Sequence, residues 1–529
     1  MSSRRKQRAY TGQQSATPLV PRWLLGEQTA ALLSSAFLVI MSVVSFTYHK
    51  IGDYGVETDF YWAYVPHAKQ ILQGNVEIDP FKGPGYELVL ALTESLTGDF
   101  FRAGLIISLV SASVVLFLTY RLLAKLFNNE AAFVVSIALA TNFVFLVSSY
   151  TAATDMFFNM LAVMVLYMLL RSGQFRLWEL AVAGVITGFA YITRYNGISF
   201  FIAVTLGLLL LNYKNVEWKQ RLVGTALFFG AAALFVVPWG IYCLQEKGKF
   251  FYNQNHLNIA YEMFGKGKMG WDEYWHNLSG QFNSYVEVIA YAPGTFFNQI
   301  AFNAVDHFWK DISLLVGLPV GIFAFGGIVA LIVQRLDRRQ AAYFLFGATF
   351  YVVLLPIFYG ERFSLYLAPL LMLLSVSFFQ WRKVPSIGFS GFGLKHIVLL
   401  GALVISARSS IDRVAEAIDF GPTEILRVRD EFVLSHGRMS GESSIVARKP
   451  HIAYYLDMKF IPFPYVNTIE ELLEESRKAG ADYLFYSGIE TGMRPQFRFL
   501  LDPRHAPNVF KPVVQVYNPP AVLYELSPE

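Results

Sequence analysis

The sequence predicts a mainly α-helical protein: a polytopic membrane bundle of about eleven spans with a small α/β domain at its C-terminal end. Three observations lead there. The 529 residues are 54% hydrophobic and only 16% charged, with a mean hydropathy of +0.41, whereas a soluble chain carries roughly a quarter charged residues. Apolar runs recur at about 20 residues each, the length that crosses a bilayer core. Lysine and arginine gather in every second connection between those runs.

Residues 1–22 are polar and basic, with Arg4, Arg5, Lys6, Arg8 and Arg22. The apolar run 23–48 is longer than the roughly 7–15 residues of a signal-peptide core, so it reads as a first, uncleaved span. Further spans fall near 101–120, 131–150, 156–170, 177–193, 198–213, 222–243, 311–334, 341–359, 363–381 and 394–408. Arg121 and Lys125, Arg171 and Arg176, Lys214, Lys219 and Arg221, Arg335, Arg338 and Arg339, and Arg382 and Lys383 mark alternate connections. Positive charge is retained on the cytoplasmic side. The N-terminus is therefore expected in the cytoplasm, and an odd span count sends the C-terminal region outside. The resulting division is a basic N-terminus (1–22), a transmembrane domain (23–408) with outer loops 49–100 and 244–310, and an extracytoplasmic soluble domain (409–529). The segment 385–393 is the most linker-like stretch.

In the tail, SSIVARKPHIAYYLDMKFIPF suggests strand, helix, strand. IEELLEESRKAGADYLFYS reads as an amphipathic helix ending at Gly480 followed by a strand, and AVLYELS is suited to close a small sheet. The tail has no glycine-rich phosphate loop. A net charge of +4 is too small to argue for nucleic acid. A single cysteine, Cys243, excludes an internal disulfide and a cysteine metal cluster.

The chemistry-bearing residues collect on the predicted outer side. Asp59 opens the stretch ETDFYWAYVPHAKQILQGNVEIDPFKGPGY, pinned to the membrane at both ends. Asp155 stands where the fourth span begins, Arg194 before the sixth, and Glu361 and Arg362 in a three-residue connection. His256 lies in the long loop 244–310. Asp59 and Asp155 also suit helix N-caps, and an arginine at a span end also suits snorkelling to headgroups. No H-x-x-x-H pattern or carboxylate cluster at ligand spacing occurs.

In order and topology the chain resembles the GT-C class of membrane glycosyltransferases, in particular the bacterial relatives of protein O-mannosyltransferases and of the aminoarabinose transferase that acts on lipid A. The resemblance rests on the early aspartate in ETDFYWAY, on DPFKGPGYELVLAL, on TAATDMFF, on a TRYNG-like segment, on GERFSLYLAP and on the tail ARKPHIAYYL…GADYLFYS. Lys82 is followed by Gly83 and Pro84 where that class has two prolines. The resemblance implies a GT-C-type helical bundle that moves a sugar from a polyprenyl-phosphate donor to a glycan, lipid or protein acceptor at the outer face of the plasma membrane. On it, Asp59 is the general base and Asp155 a second carboxylate. Arg362, Arg194 and Lys82 face the donor phosphate, and Glu57, Tyr61, His256 and Glu361 line the cleft. No resident metal or other cofactor is expected, and the partners are the lipid-linked donor, membrane lipids and the acceptor, without nucleic acid. The competing readings are a non-catalytic scaffold of the same fold and a transporter of lipid-linked sugars.

Overall fold

The computed structural model describes residues 20, 25–384, 388–389, 392–437 and 441–526. The basic N-terminal cluster, Trp23 at the start of the first run and most of the 385–393 linker lie outside them. The chain is mainly helical, with one small sheet near its C-terminus. Among the described residues each predicted apolar run is largely helical. Four helical tracts are long and apolar enough to cross a membrane: Glu27–Tyr48, Phe100–Leu126, Trp218–Lys247 and the tract Leu394–His436. Counting each bent pair as one span raises the number to six among the described residues. The remaining apolar helices, Thr154–Leu170, Leu177–Thr193, Tyr195–Leu211 and Leu365–Gln380, are shorter.

The bends have local causes. Asn129–Ala140 and Phe143–Tyr150 meet at 63° because Asn142 interrupts the run. Its Oδ1 accepts from the Phe145 N–H at 3.1 Å, and its Nδ2 donates to the Leu315 carbonyl at 2.7 Å. The cap satisfies the broken helix end, and the amide ties it to the second bend. That bend, 114° between Pro293–Leu315 and Leu318–Gln334, turns on Gly317 at φ +90°, a conformation that favours glycine. The predicted run 311–334 therefore crosses a sharp break.

The two ends of the helical region differ. At one end the basic connections bond to one another: Lys214 donates to the Ser172 and Gln174 carbonyls, Arg338 to Asn215 Oδ1 and Gln340 to the Leu126 carbonyl. The first loop, residues 151–155, Arg194 and Arg362 meet at the other. One continuous apolar core joins the helices between them.

The helix that begins at Leu394 continues without a break at 408 to Asp419, and Thr423–His436 follows it. The sheet comprises β1 (Ser444–Ala447), β2 (Lys459–Pro462), β3 (Tyr483–Ser487), β4 (Phe510–Tyr517) and β5 (Pro520–Leu526), in the order β2-β1-β3-β5-β4. The strand pair β1/β2 is parallel and flanks the helix His451–Leu456. Ile469–Lys478 forms the expected amphipathic helix, with the Thr468 hydroxyl accepting from the Glu471 N–H and Gly480 at φ +70° beyond its end. The described residues of the AVLYELS stretch form β5, which does not close the sheet at an edge but runs antiparallel between β3 and β4. Each face of the sheet has its own apolar core.

This C-terminal unit grips the first loop. His451 Nε2 lies 2.9 Å from the Asp53 carbonyl, the Tyr54 hydroxyl donates to Glu424 at 2.6 Å, and Lys449 Nζ donates to the Thr58 hydroxyl at 3.0 Å. It grips the long loop as well, through Asp272, whose two oxygens meet Arg448 at 2.8 Å and Arg494 at 2.9 Å.

Candidate active site

Four charged side chains from four distant segments converge at the loop end of the bundle. Asp59 precedes the wide helical turn Phe60–Tyr64 and makes no capping hydrogen bond there. Asp155 sits in the first turn of Thr154–Leu170, behind the N-cap residue Ala153. Arg194 ends the helix Leu177–Thr193 in extended backbone, and Arg362 lies between Arg338–Leu354 and Leu365–Leu367. Arg194 Nη1 bonds one oxygen of Asp155 and donates to the Thr154 hydroxyl at 3.2 Å. Arg362 spans the two carboxylates: Nη1 is 3.8 Å from the other oxygen of Asp155, and Nη2 is 3.8 Å from Asp59. Both guanidiniums lie over the ring of Phe363, at 5.3 Å for Arg194 and 4.9 Å for Arg362. A ring shared this way fixes two cations side by side without neutralising either.

The two aspartates therefore differ in kind. The Asp155 side chain is 4% exposed and faces a guanidinium at each oxygen; that of Asp59 is 53% exposed and has one ion-pair contact. A carboxylate already met by two arginines orients them. One that is open to solvent keeps lone pairs free to accept a proton.

Lys82 reaches the same cluster from the first loop. Its ammonium is 3.7 Å from the centroid of the Tyr64 ring and 3.4 Å from Asp79, and the Tyr64 hydroxyl lies 3.3 Å from the Thr154 hydroxyl that Arg194 holds. Burial works against its charge, but nearby Tyr64, Asp79 and Asp59 outweigh this and raise it above the ordinary lysine range. The Gly-Pro-Gly after it is a packing device. A Cβ on Gly83 would stand 2.3 Å from the Ile192 carbonyl oxygen, and one on Gly85 2.4 Å from the Thr193 hydroxyl. Only glycine lets this loop lie directly on the helix end that delivers Arg194.

Three other predicted cleft residues are buried in contacts of their own. Glu57 is fully buried, and its carboxylate accepts from the Ala152 N–H at 2.6 Å and the Asp53 N–H at 2.8 Å and meets His49 at 2.9 Å. Burial opposes its ionisation, yet His49 and these amides hold the carboxyl below its ordinary range. It staples the first loop to the segment before Asp155. Tyr61 is buried under the C-terminal unit, its hydroxyl accepting from the Gly52 N–H at 3.1 Å and lying 3.2 Å from the Tyr455 hydroxyl. His256 is buried in the long loop's own core, 3.1 Å from the Phe282 carbonyl. Glu361 forms no ion pair with another described residue, Arg362 included.

A narrow cleft beside the cluster is lined by Asp155, Asn159, Arg194, Asn196, Arg362 and Tyr366, among others. Asn159, Asn196, Phe363, Tyr366 and Lys449 were not singled out by sequence reasoning. Asn159 was reachable, because it stands four residues after Asp155 and so shares its helix face. Lys449 was not, because its proximity to Thr58 crosses 391 positions. Asp59, Asp79 and Asp155 face Lys82, Arg194 and Arg362 here.

Residues 81–242 match the family model described as dolichyl-phosphate-mannose-protein mannosyltransferase. The chain superposes on the ArnT protein of Cupriavidus metallidurans, solved with bound undecaprenyl phosphate, at a TM-score of 0.57 and 11% identity, covering 94% of this chain and 99% of that one. The chain has the fold of a GT-C-class protein. The same fold relates this chain to the oligosaccharyltransferase of Archaeoglobus fulgidus. The form solved with an inhibitory peptide and dolichol phosphate superposes at a TM-score of 0.54 and 14% identity, over 88% of this chain and 70% of that one. The form tethered to an acceptor peptide gives 0.57 and 12%, over 96% and 75%. No curated protein sequence matches.

Proposed function

We propose that this GT-C chain transfers a sugar from a polyprenyl-phosphate donor to an acceptor hydroxyl at the outer face of the plasma membrane. In this reading about eleven helical passes span the bilayer, the N-terminus is cytoplasmic, and residues from 409 onward form an extracytoplasmic domain. The single observation that carries the proposal is the convergence of Asp59, Asp155, Arg194 and Arg362 at one end of the bundle, opposite the basic connections. A scaffold has no need of such a grouping. The lipid phosphates bound by the Cupriavidus and Archaeoglobus proteins support the donor class.

The donor lipid stays in the bilayer, so its phosphate must meet the protein at a span end, where Arg194 and Arg362 lie. As the sugar–oxygen bond breaks, negative charge grows on the departing lipid phosphate. The two guanidiniums, fixed by Asp155 and Phe363, stabilise it, and Lys82 adds a third cation. Asp59 accepts the proton of the acceptor hydroxyl as that oxygen attacks the anomeric carbon. One direct displacement inverts that carbon and needs no covalent intermediate. The products are the glycosylated acceptor, the lipid phosphate and a proton on Asp59 that passes to water. The reading uses no resident metal, since the arginines supply the positive charge.

The test is a transfer assay in membranes with a panel of radiolabelled polyprenyl-phosphate sugars, wild type beside Asp59→Asn. Label should pass to an acceptor with wild type only, and the productive donor names the sugar. If the folded, inserted wild type transfers from no donor, the enzyme reading is lost in favour of a binding role.

A further inference from the structure

Two buried polar side chains in the cleft lack partners. Asn159 lies one helical turn beyond Asp155 and is 1% exposed, and neither its Oδ1 nor its Nδ2 has a hydrogen-bond partner among the described residues. Tyr366 is 6% exposed, and its hydroxyl is equally unpartnered. Both line the cleft that Asp155, Arg194 and Arg362 border. Burying such groups dry is costly, and here they come from two different helical segments onto one space.

The chemistry of the pair indicates what fits. A carboxamide presents an acceptor and a donor side by side. A phosphate oxygen only accepts, so it would satisfy Nδ2 and leave Oδ1 facing negative charge. A hydroxyl both donates and accepts, and the Tyr366 hydroxyl can rotate to complete either role. The cleft is narrow, and Phe158, Phe350 and Leu365 wall it with apolar surface, which suits an uncharged hydroxyl better than a phosphoryl group.

We propose that Asn159 and Tyr366 form a hydroxyl-reading floor that receives one ring hydroxyl of the transferred sugar. Arg194 and Arg362, at the border of the same cleft, hold the phosphate. This rests on the reading of the chain as a lipid-linked-sugar transferase. Asn159 and Tyr366 are then specificity determinants, with no part in proton transfer. A donor lacking the hydroxyl they read leaves two buried polar groups dry and is rejected.

The test is equilibrium binding to the purified full chain in lipid nanodiscs, without acceptor. The probes are bare polyprenyl phosphate and polyprenyl phosphates carrying mannose, glucose or arabinose. Wild type should bind at least one sugar-bearing lipid more tightly than the bare lipid. Asn159→Leu, which keeps the volume and removes both polar atoms, should weaken that lipid about ten-fold and leave the bare lipid unchanged. Tyr366→Phe removes only the hydroxyl and should act in the same direction, so the idea stays testable if the leucine variant fails to insert. Equal weakening of both lipids would make the floor a phosphate contact and overturn the proposal. No change in either variant would mean that the pair holds only an internal water, which also overturns it. A wild type that binds bare and sugar-bearing lipids equally does the same. A wild type that binds no polyprenyl phosphate at all would instead remove the transferase reading, and this proposal with it.

Discussion

The contrast between Asp59 and Asp155 makes the sharpest prediction. Replacing either by asparagine removes one negative charge and almost no volume. At Asp59 the side chain is 53% exposed, caps no helix and has a single 3.8 Å ion-pair contact. Exposed pairs of this kind contribute about 0–1 kcal/mol, so Asp59→Asn should melt within about 2 °C of wild type. Loss of a general base costs about 10²–10⁴ in rate, roughly 2.7–5.4 kcal/mol of barrier. At Asp155 the side chain is 4% exposed and bridges Arg194 and Arg362. Breaking a buried pair costs about 3–5 kcal/mol because the remaining charges are stranded. Asp155→Asn should therefore lose both stability and transfer. The assay pairs a thermal melt of the detergent-solubilised protein with initial transfer rates in membranes. An Asp59→Asn protein that keeps more than about a tenth of the wild-type rate would refute Asp59 as the base. An Asp59→Asn protein as destabilised as Asp155→Asn would show that its role is structural.

Three further outcomes follow from the same geometry. Arg362→Lys keeps the charge but cannot hold Asp59 and Asp155 from two nitrogens of one plane. It should weaken binding of bare polyprenyl phosphate about ten-fold or more, and unchanged affinity in a lipid-binding titration would count against a phosphate role. Gly83→Ala would drive a Cβ to 2.3 Å from the Ile192 carbonyl. It should cost about 1–3 kcal/mol in the melt and lower the rate by displacing Lys82, whereas a neutral result would mean that the loop yields freely. His451 is buried, with Nε2 on the Asp53 carbonyl and Nδ1 unpartnered, and burial lowers its pKa to about 4. The unfolded chain binds that proton below about pH 6.5 while the folded one does not. The stability it contributes is thus intact above pH 6.5 and falls as pH drops towards 4, by about 3 kcal/mol in all. Proteolytic release of the C-terminal unit should rise over that window, and His451→Gln should flatten the rise.

Much of the architecture was legible because it is written locally. Lipid demands about 20 apolar residues per pass, and the resulting runs are largely helical among the described residues. The amphipathic helix Ile469–Lys478 announced itself by its charge pattern and the Gly480 stop. The bend at Gly317 was missed because apolar composition does not report backbone direction. The edge strand Phe510–Tyr517 was missed because Pro512 stands inside it, and proline argues against a strand except at an edge, which only the fold reveals. Among site residues, Asp59, Asp155, Arg194, Arg362 and Lys82 stand together in the fold. Glu57, Tyr61 and His256 look equally suited to a cleft in the sequence. They are instead buried against Ala152, Tyr455 and Phe282.

By itself, the sequence determined that the chain is mainly helical with apolar helices, that its basic connections alternate, and that its charged residues of interest sit at the ends of apolar runs. These follow from composition and periodicity, which need no knowledge of neighbours. Only the tertiary structure decided which carboxylate is gripped and which is open, that Gly83 and Gly85 let the first loop lie on the Arg194 helix end, and that Asn159 and Tyr366 share an unsatisfied space. Each of those depends on distance between residues tens to hundreds of positions apart. Hydropathy and residue type carry no information about such distances; packing sets them.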